Sequence, residues 1–347
     1  MKYSPILFSA LVLTLLLFVG SCKTEEKKNL PDVSSINIEM KWTRFEQELF
    51  YIDTIQFKAG LQNLKVKYPE FTDIYFNQIL GTGNTKTIPE GEMNYLRGFV
   101  TYPNIKKLYD TTQIVFAGMK SEKEEFKKAF QYLKHYFPER YIPSVTTFLS
   151  EYTIGIFVYG KGDLGVGLDF FLGPKYDYRY YNGDNSNFSN YLIRTYNKDH
   201  LVSKSMYAVI DDITGNKPQQ EKLINFILHE GKKLYVLDQI MPLAQDSVKL
   251  EFSKIQLNWL NQNEKNIWAF FTSEKLLYES DYDKIRKYIE PSPNSPGMPA
   301  EAPGRVGTWL GYQIVKSFMK NNPQITLNQL IAITDAQQLL EKSRYKP

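Results

Sequence analysis

The chain has 347 residues, with 42 Lys and Arg against 38 Asp and Glu for a net charge of +4, and 43% hydrophobic residues. That length suffices for one large domain or two intimate ones. So balanced a charge excludes the basic footprint of a nucleic-acid binder, and a single cysteine excludes both a disulfide framework and a thiolate zinc site.

The first predicted element is an export signal. Lys2 precedes an apolar run from Ile6 to Val19 that only Ser9 and Thr14 interrupt. A membrane-spanning helix needs about 20 apolar residues, whereas a signal-peptide core needs roughly 7–15. Directly behind the run stands Val19-Gly20-Ser21-Cys22, small residues before the lone cysteine, which is the pattern that lipoprotein signal peptidase cuts. Residues 1–21 are therefore expected to be removed, leaving Cys22 as a lipid-bearing amino terminus. Stable anchoring takes more than one acyl chain, each buried methylene contributing about 0.8 kcal/mol. A diacylglyceryl thioether with an N-acyl group meets that need, and this covalent lipid is the only cofactor expected. Residues 22–40 read as a lipidated tether, since Lys23 to Asn29 is too charged to pack.

A single large domain is expected from 41 to 347, with a helical part over 41–150 and a β-hairpin plus helices over 151–347. Phe45, Leu49 and Ile52 recur at helical spacing, as do Leu61, Leu64 and Tyr68, and Phe126, Phe130 and Leu133. The last stripe starts behind Ser121 with Glu124 three residues on, a capping-box signature. Tyr152 to Tyr159 is rich in β-branched and aromatic residues. A turn follows at Gly160-Lys161-Gly162-Asp163, and Leu164 to Leu172 continues the strand pattern. The spacing predicts a hairpin with Leu164, Val166, Leu168 and Phe170 on its buried face and Asp169 on the other, exposed or hydrogen-bonded. Tyr176, Tyr178, Tyr180 and Tyr181 follow, a composition that also suits a glycan platform. Helices are expected over 191–196, 201–213, 218–238, 246–262, 264–271 and 304–319. The five prolines of 291–303 mark either a functional lid or a disordered connector. The fold class is mainly α with a small β-hairpin or sheet.

The segment that bears on chemistry is Leu228-His229-Glu230-Gly231-Lys232-Lys233. In His-Glu-x-x-His, two imidazoles share one helix face and bind zinc, with the Glu as general base. Here Lys233 occupies the second ligand position. An ammonium offers no lone pair, and about 5 Å from a dication it is repelled by roughly 6–7 kcal/mol at an effective dielectric of ~20. His135 and His200, the only other histidines, lack motif spacing, and Glu251 or Glu264 would have to serve as a downstream carboxylate ligand. Catalytic zinc usually has three protein ligands. His229 and Glu230 are thus vestigial candidates on a degenerate zincin-like, metalloprotease-type scaffold, and the protein is expected not to be an enzyme. The alternative is an envelope metal-dependent hydrolase with an atypical site at those two residues. No phosphate loop and no Gly-x-Ser-x-Gly nucleophile elbow is present.

Several segments together resemble one family. They are Leu168-Asp169-Phe170-Phe171-Leu172-Gly173, Gly231-Lys232-Lys233-Leu234-Tyr235 with Leu237-Asp238, and Asn263-Glu264 with Ile267-Trp268. Pro303-Gly304-Arg305-Val306-Gly307, running into Trp309-Leu310-Gly311, and the ending Ser343-Arg344-Tyr345-Lys346-Pro347 complete the set. The chain is similar here to the gliding motility lipoprotein GldB family, closely from about Asp163 onward and loosely between Met40 and Pro143. The resemblance implies an envelope lipoprotein needed for surface gliding and linked to the associated secretion machinery. It implies no catalytic residues. The expected partners are the membrane, through the lipid, and other envelope proteins of that apparatus, with Asp169, Arg305 and Trp309 as an interaction surface. The expected location is the cell envelope, outer membrane rather than inner, facing periplasm or surface. Lys23 followed by Glu25 and Glu26 also resembles the surface-export signal of some gliding bacteria.

Overall fold

A computed structural model describes residues 30–83, 91–180, 186–215, 218 and 221–347. Cys22 and the whole predicted signal lie outside the described residues, as does Tyr181. Among the described residues no helix is long and apolar enough to cross a membrane. Residues Val33–Pro347 form one compact unit that is mainly helical.

The β element is larger than a hairpin. Four strands, β1 (Trp42–Arg44), β2 (Val145–Phe148), β3 (Ile156–Tyr159) and β4 (Asp163–Gly167), make one sheet in the order β1-β2-β4-β3. The β1-β2 and β2-β4 pairs are parallel, and β3 runs antiparallel to β4 at the edge. Since β1 and β2 come from the stretch expected to be helical, residue 150 is no structural boundary. Strand β2 is four buried residues, Val-Thr-Thr-Phe, with no alternation to mark it. The second hairpin strand ends at Gly167, where Leu168–Phe171 turns into a 3-10 helix. The hairpin turn itself uses Gly160 and Gly162, both at positive φ. A Cβ at Gly165 would strike the Phe157 ring, 2.4 Å away, so that ring lies across its cross-strand neighbour.

Helices cover both faces of the sheet. One layer buries Phe45, Leu49, Phe57, Leu61, Phe71 and Tyr75 with Phe148, and Phe157 and Tyr159 pack against it. The other face carries Val145, Leu164 and Val166, with Ile156 and Val158 packed beside them. The helices that matter on that side are α1 (Lys120–Tyr136), α2 (Lys198–Thr214), α3 (Leu223–Ile240), α4 (Val306–Asn321) and α5 (Ala336–Ser343). Helix α1 begins at Lys120 behind Met119, so Ser121 lies inside the first turn and no capping box forms. Its hydroxyl instead donates to Glu122.

Helix α3 carries the His-Glu segment and is buried almost all round. It crosses α4 backbone to backbone. A Cβ on Gly311 would lie 1.8 Å from the Ile227 carbonyl oxygen, and one on Gly231 would lie 2.3 Å from the Gly311 carbonyl carbon. Each helical glycine costs about 1 kcal/mol in propensity relative to Ala, so the close approach must return more than that in packing. The obstacles are main-chain atoms, which cannot rotate aside. Gly311→Ala is therefore expected to destabilise the protein by about 3 kcal/mol or more, read as a lowered midpoint in urea unfolding. A midpoint equal to wild type would show that the crossing is not close.

Candidate functional site

Between α2, α3 and the segment leading into α4 lies a cleft of about 610 Å³. Its polar lining includes Tyr207, Glu230, Lys249, Glu251, Glu290 and Arg305, set among Phe226, Leu234, Leu237 and Ile289. Helix α3 contributes Glu230 and α2 contributes Tyr207. The other two central groups come from irregular backbone. The expected 246–262 helix is broken into Asp246–Lys249 and Lys254–Gln262, the second starting with a Ser253/Gln256 capping box. In the break stands Glu251 at φ +55°, and Arg305, immediately before α4, has φ +63°. Non-glycine residues rarely adopt this left-handed region, and such positions concentrate at functional sites.

These two residues form an ion pair with each other. Glu251 accepts from Lys204 Nζ at 2.7 Å and from Arg305 Nη1 at 3.2 Å. Burial drives its carboxyl up, but the Lys204 and Arg305 charges outweigh that and hold it at about 2. The Glu251 main-chain carbonyl accepts from Arg194, whose own pKa burial lowers. Glu230 is also ionised. Burial works against its charge, yet Lys233 and the Tyr207 hydroxyl, which donates to it, set it below its ordinary value. Lys233 Nζ lies 2.9 Å from Glu230 and also pairs with Asp211 of α2. The interior of the cleft is thus a chain of charges already matched to one another.

Of the sequence-derived candidates, His229 and Glu230 point to different places. His229 donates from Nε2 to the Gly215 carbonyl at 2.9 Å, outside the cleft, and burial and Lys233 lower its pKa so that the ring is neutral. His200 instead bonds Asn197 at 2.9 Å. Glu251 does join Glu230 in the cleft, whereas Glu264 accepts from the Tyr345 hydroxyl at 2.7 Å. The residues do not fit a zinc ion, because the imidazole faces away and a paired ammonium occupies the second ligand position. Among the described residues no three His, Cys, Asp or Glu side chains are gathered as a metal-holding group.

Two of the three residues expected at an interaction surface are corrected. Asp169 is fully buried, held by the Ser150 and Tyr152 main-chain N–H groups at 3.2 and 2.7 Å. Its carboxyl stabilises the consecutive left-handed residues Glu151 and Tyr152, and burial pushes its pKa up to about 6. The alternation that put it on an outer face ends at Gly167, where the strand does. Trp309 is 1% exposed in the main core. Arg305 alone lies in the cleft. Within the tyrosine stretch Tyr178 is packing, buried with its hydroxyl donating to the Tyr196 carbonyl and accepting from Leu172 N–H, whereas Tyr180 is exposed. Sequence reasoning missed Lys204, Tyr207 and Asp211. Their spacing of three and four residues, which puts them on one face of the helix, was the available signal.

The Glu251 geometry sets a pH dependence. Its folded pKa lies below its ordinary 4.5, so the stability it contributes is present above pH 4.5 and is lost as the pH falls toward about 2. Glu251→Gln, measured by urea unfolding, is expected to cost roughly 2–3 kcal/mol at pH 7 and much less near pH 2. An equal cost at both pH values would contradict the pairing.

The family model described as gliding motility protein GldB matches residues 26–347, so the chain belongs to that family. No curated protein and no solved structure matches it.

Proposed function

We propose, from the premise that the chain belongs to the gliding motility protein GldB family, that it is a lipid-tethered envelope component of the gliding apparatus and its linked secretion machinery, without catalytic activity of its own. The tether is the lipid on Cys22, just ahead of the first matched residue. The location is the outer membrane in preference to the inner, with the body facing periplasm or surface. The scaffold is of degenerate zincin type. An antiparallel edge strand and a buried helix bearing His-Glu support that reading.

One observation carries the non-catalytic part. Glu230, the residue that would act as general base, is held ionised by Lys233 and Tyr207, so its oxygens are engaged before any water or metal arrives. A base needs a pKa near the working pH, and this carboxylate is shifted the other way. The competing hydrolase reading would need the Lys233 and Asp211 pair to open.

Protein purified without chelators is expected to hold no stoichiometric zinc by metal analysis, and cells carrying His229→Ala are expected to glide as wild type. Cys22→Ser is expected to release the body from the envelope fraction. One tightly bound zinc per chain that disappears in Glu230→Gln would overturn the reading in favour of the hydrolase.

A further inference from the structure

Three lysines are buried among the described residues: Lys232, Lys233 and Lys249. Lys233 pairs with Asp211 and Glu230, and Lys249 with Asp238 and Asp246. Lys232 has no such support. Burial and the Lys233 charge both work against its ammonium, and no carboxylate works for it. Its Nζ donates to the Ile331 carbonyl at 3.2 Å and to the Ile333 carbonyl at 2.7 Å. Carbonyls supply dipoles but no countercharge, and a buried charge without one is costly. Two of the three N–H groups are used, which leaves one donor.

Lys232 lines a cavity of about 90 Å³ together with Thr214, Asn225, His229, Ile331 and Ile333. Asn225, His229 and Lys232 recur at spacings of four and three, one face of α3. Phe226, Glu230, Leu234 and Leu237 line the larger cleft from another face. Asn225 is 6% exposed, and its Oδ1 has no hydrogen-bond partner. The His229 ring is neutral and its Nε2–H is committed to the Gly215 carbonyl, so it brings no charge. An uncancelled positive charge with a spare donor and an orphaned acceptor thus line one cavity. Its volume is that of about three waters, too small for a sugar or a nucleotide. A negative oxygen answers the ammonium, and a hydroxyl answers Asn225 Oδ1. Hydrogen carbonate and hydrogen phosphate carry both on one centre, whereas nitrate and formate carry only the first.

We infer that this cavity is a binding site for a small hydroxylated oxyanion, hydrogen carbonate or hydrogen phosphate, held by Lys232 and Asn225. The anion joins α3 to the 331–336 segment, whose carbonyls share the Lys232 ammonium. Because the site lies on another face of α3 from Glu230, its failure leaves the non-catalytic reading untouched, and the reverse holds too.

The test follows thermal unfolding of the purified full chain at pH 7 in chloride of constant ionic strength. Hydrogen carbonate, phosphate, nitrate or formate replaces part of the chloride. Hydrogen carbonate or phosphate is expected to raise the midpoint saturably, with half-effect at a concentration at least tenfold below that of nitrate or formate. Either one alone supports the site and names its ligand. Lys232→Met keeps an apolar stem, removes the charge, and is expected to lose the response. Asn225→Asp places a carboxylate in the cavity in the anion's stead and is expected to lose the response as well. That second variant decides the matter if Lys232→Met does not fold. Hydrogen exchange over 331–336 is expected to slow when the anion is added to wild type. A midpoint that never saturates, that rises equally with all four anions, or that rises as much in Asn225→Asp as in wild type would overturn the inference and leave water as the only occupant.

Discussion

The contact of Gly231 with Gly311 is what the remainder of the structure is arranged around. Two helices whose main chains touch cannot slide or rotate independently, because any side chain larger than hydrogen at either position meets backbone. That contact lays the His-Glu helix against α4 and sets the start of α4 at the cleft. Arg305, the residue before α4, is thereby brought within reach of Glu251 and into the electrostatic field of Glu230. The preceding proline-rich segment is ordered by its own bonds. Ser295 donates to the Pro303 carbonyl, the Tyr288 hydroxyl donates to the Pro296 carbonyl, and Gly304 allows the chain to pass against Ser292. These contacts tie the segment to the body, in place of the disordered connector that its composition allowed.

Electrostatics explains why Lys233 is tolerated inside a buried helix. An ammonium taken out of water is costly unless it is paired and hydrogen-bonded. Lys233 is 2% exposed and lies between Glu230 and Asp211, with the Tyr207 hydroxyl completing the coordination of Glu230. The adjacent Lys232 finds a different solution. It donates to the Ile331 and Ile333 carbonyls, and burial, with Lys233 adding to it, lowers its pKa to about 8. Two consecutive lysines, about 100° apart around one helix, thus serve two different packing problems.

Much of the α content was legible in the sequence because helical periodicity persists over long, well-separated stretches. The expected 201–213 and 218–238 helices correspond to α2 and α3 with shifts at their ends. Strands β1 and β2 were not legible, since three or four residues give no period and β2 is buried on both faces. The break at Glu251 was hidden for another reason. Leu250 to Ser253 keeps a helix-compatible composition, and the groups that hold Glu251 in its left-handed backbone, Lys204 and Arg305 on the carboxylate and Arg194 on the main-chain carbonyl, are far away in sequence. The candidate site was half visible: the His-Glu segment singled out α3, but its histidine belongs to the Gly215 turn and its true companions sit on α2 and before α4.

Glu230 is locked as an ionised member of a self-matched network. Its direct measurement is the titration of that one carboxyl by 13C NMR in glutamate-labelled protein, with Glu230→Gln giving the assignment. The resonance is expected to titrate below the ordinary 4.5 and to be unmoved by stoichiometric zinc. A carboxyl that titrates near neutral pH, or that shifts when zinc is added, would contradict it.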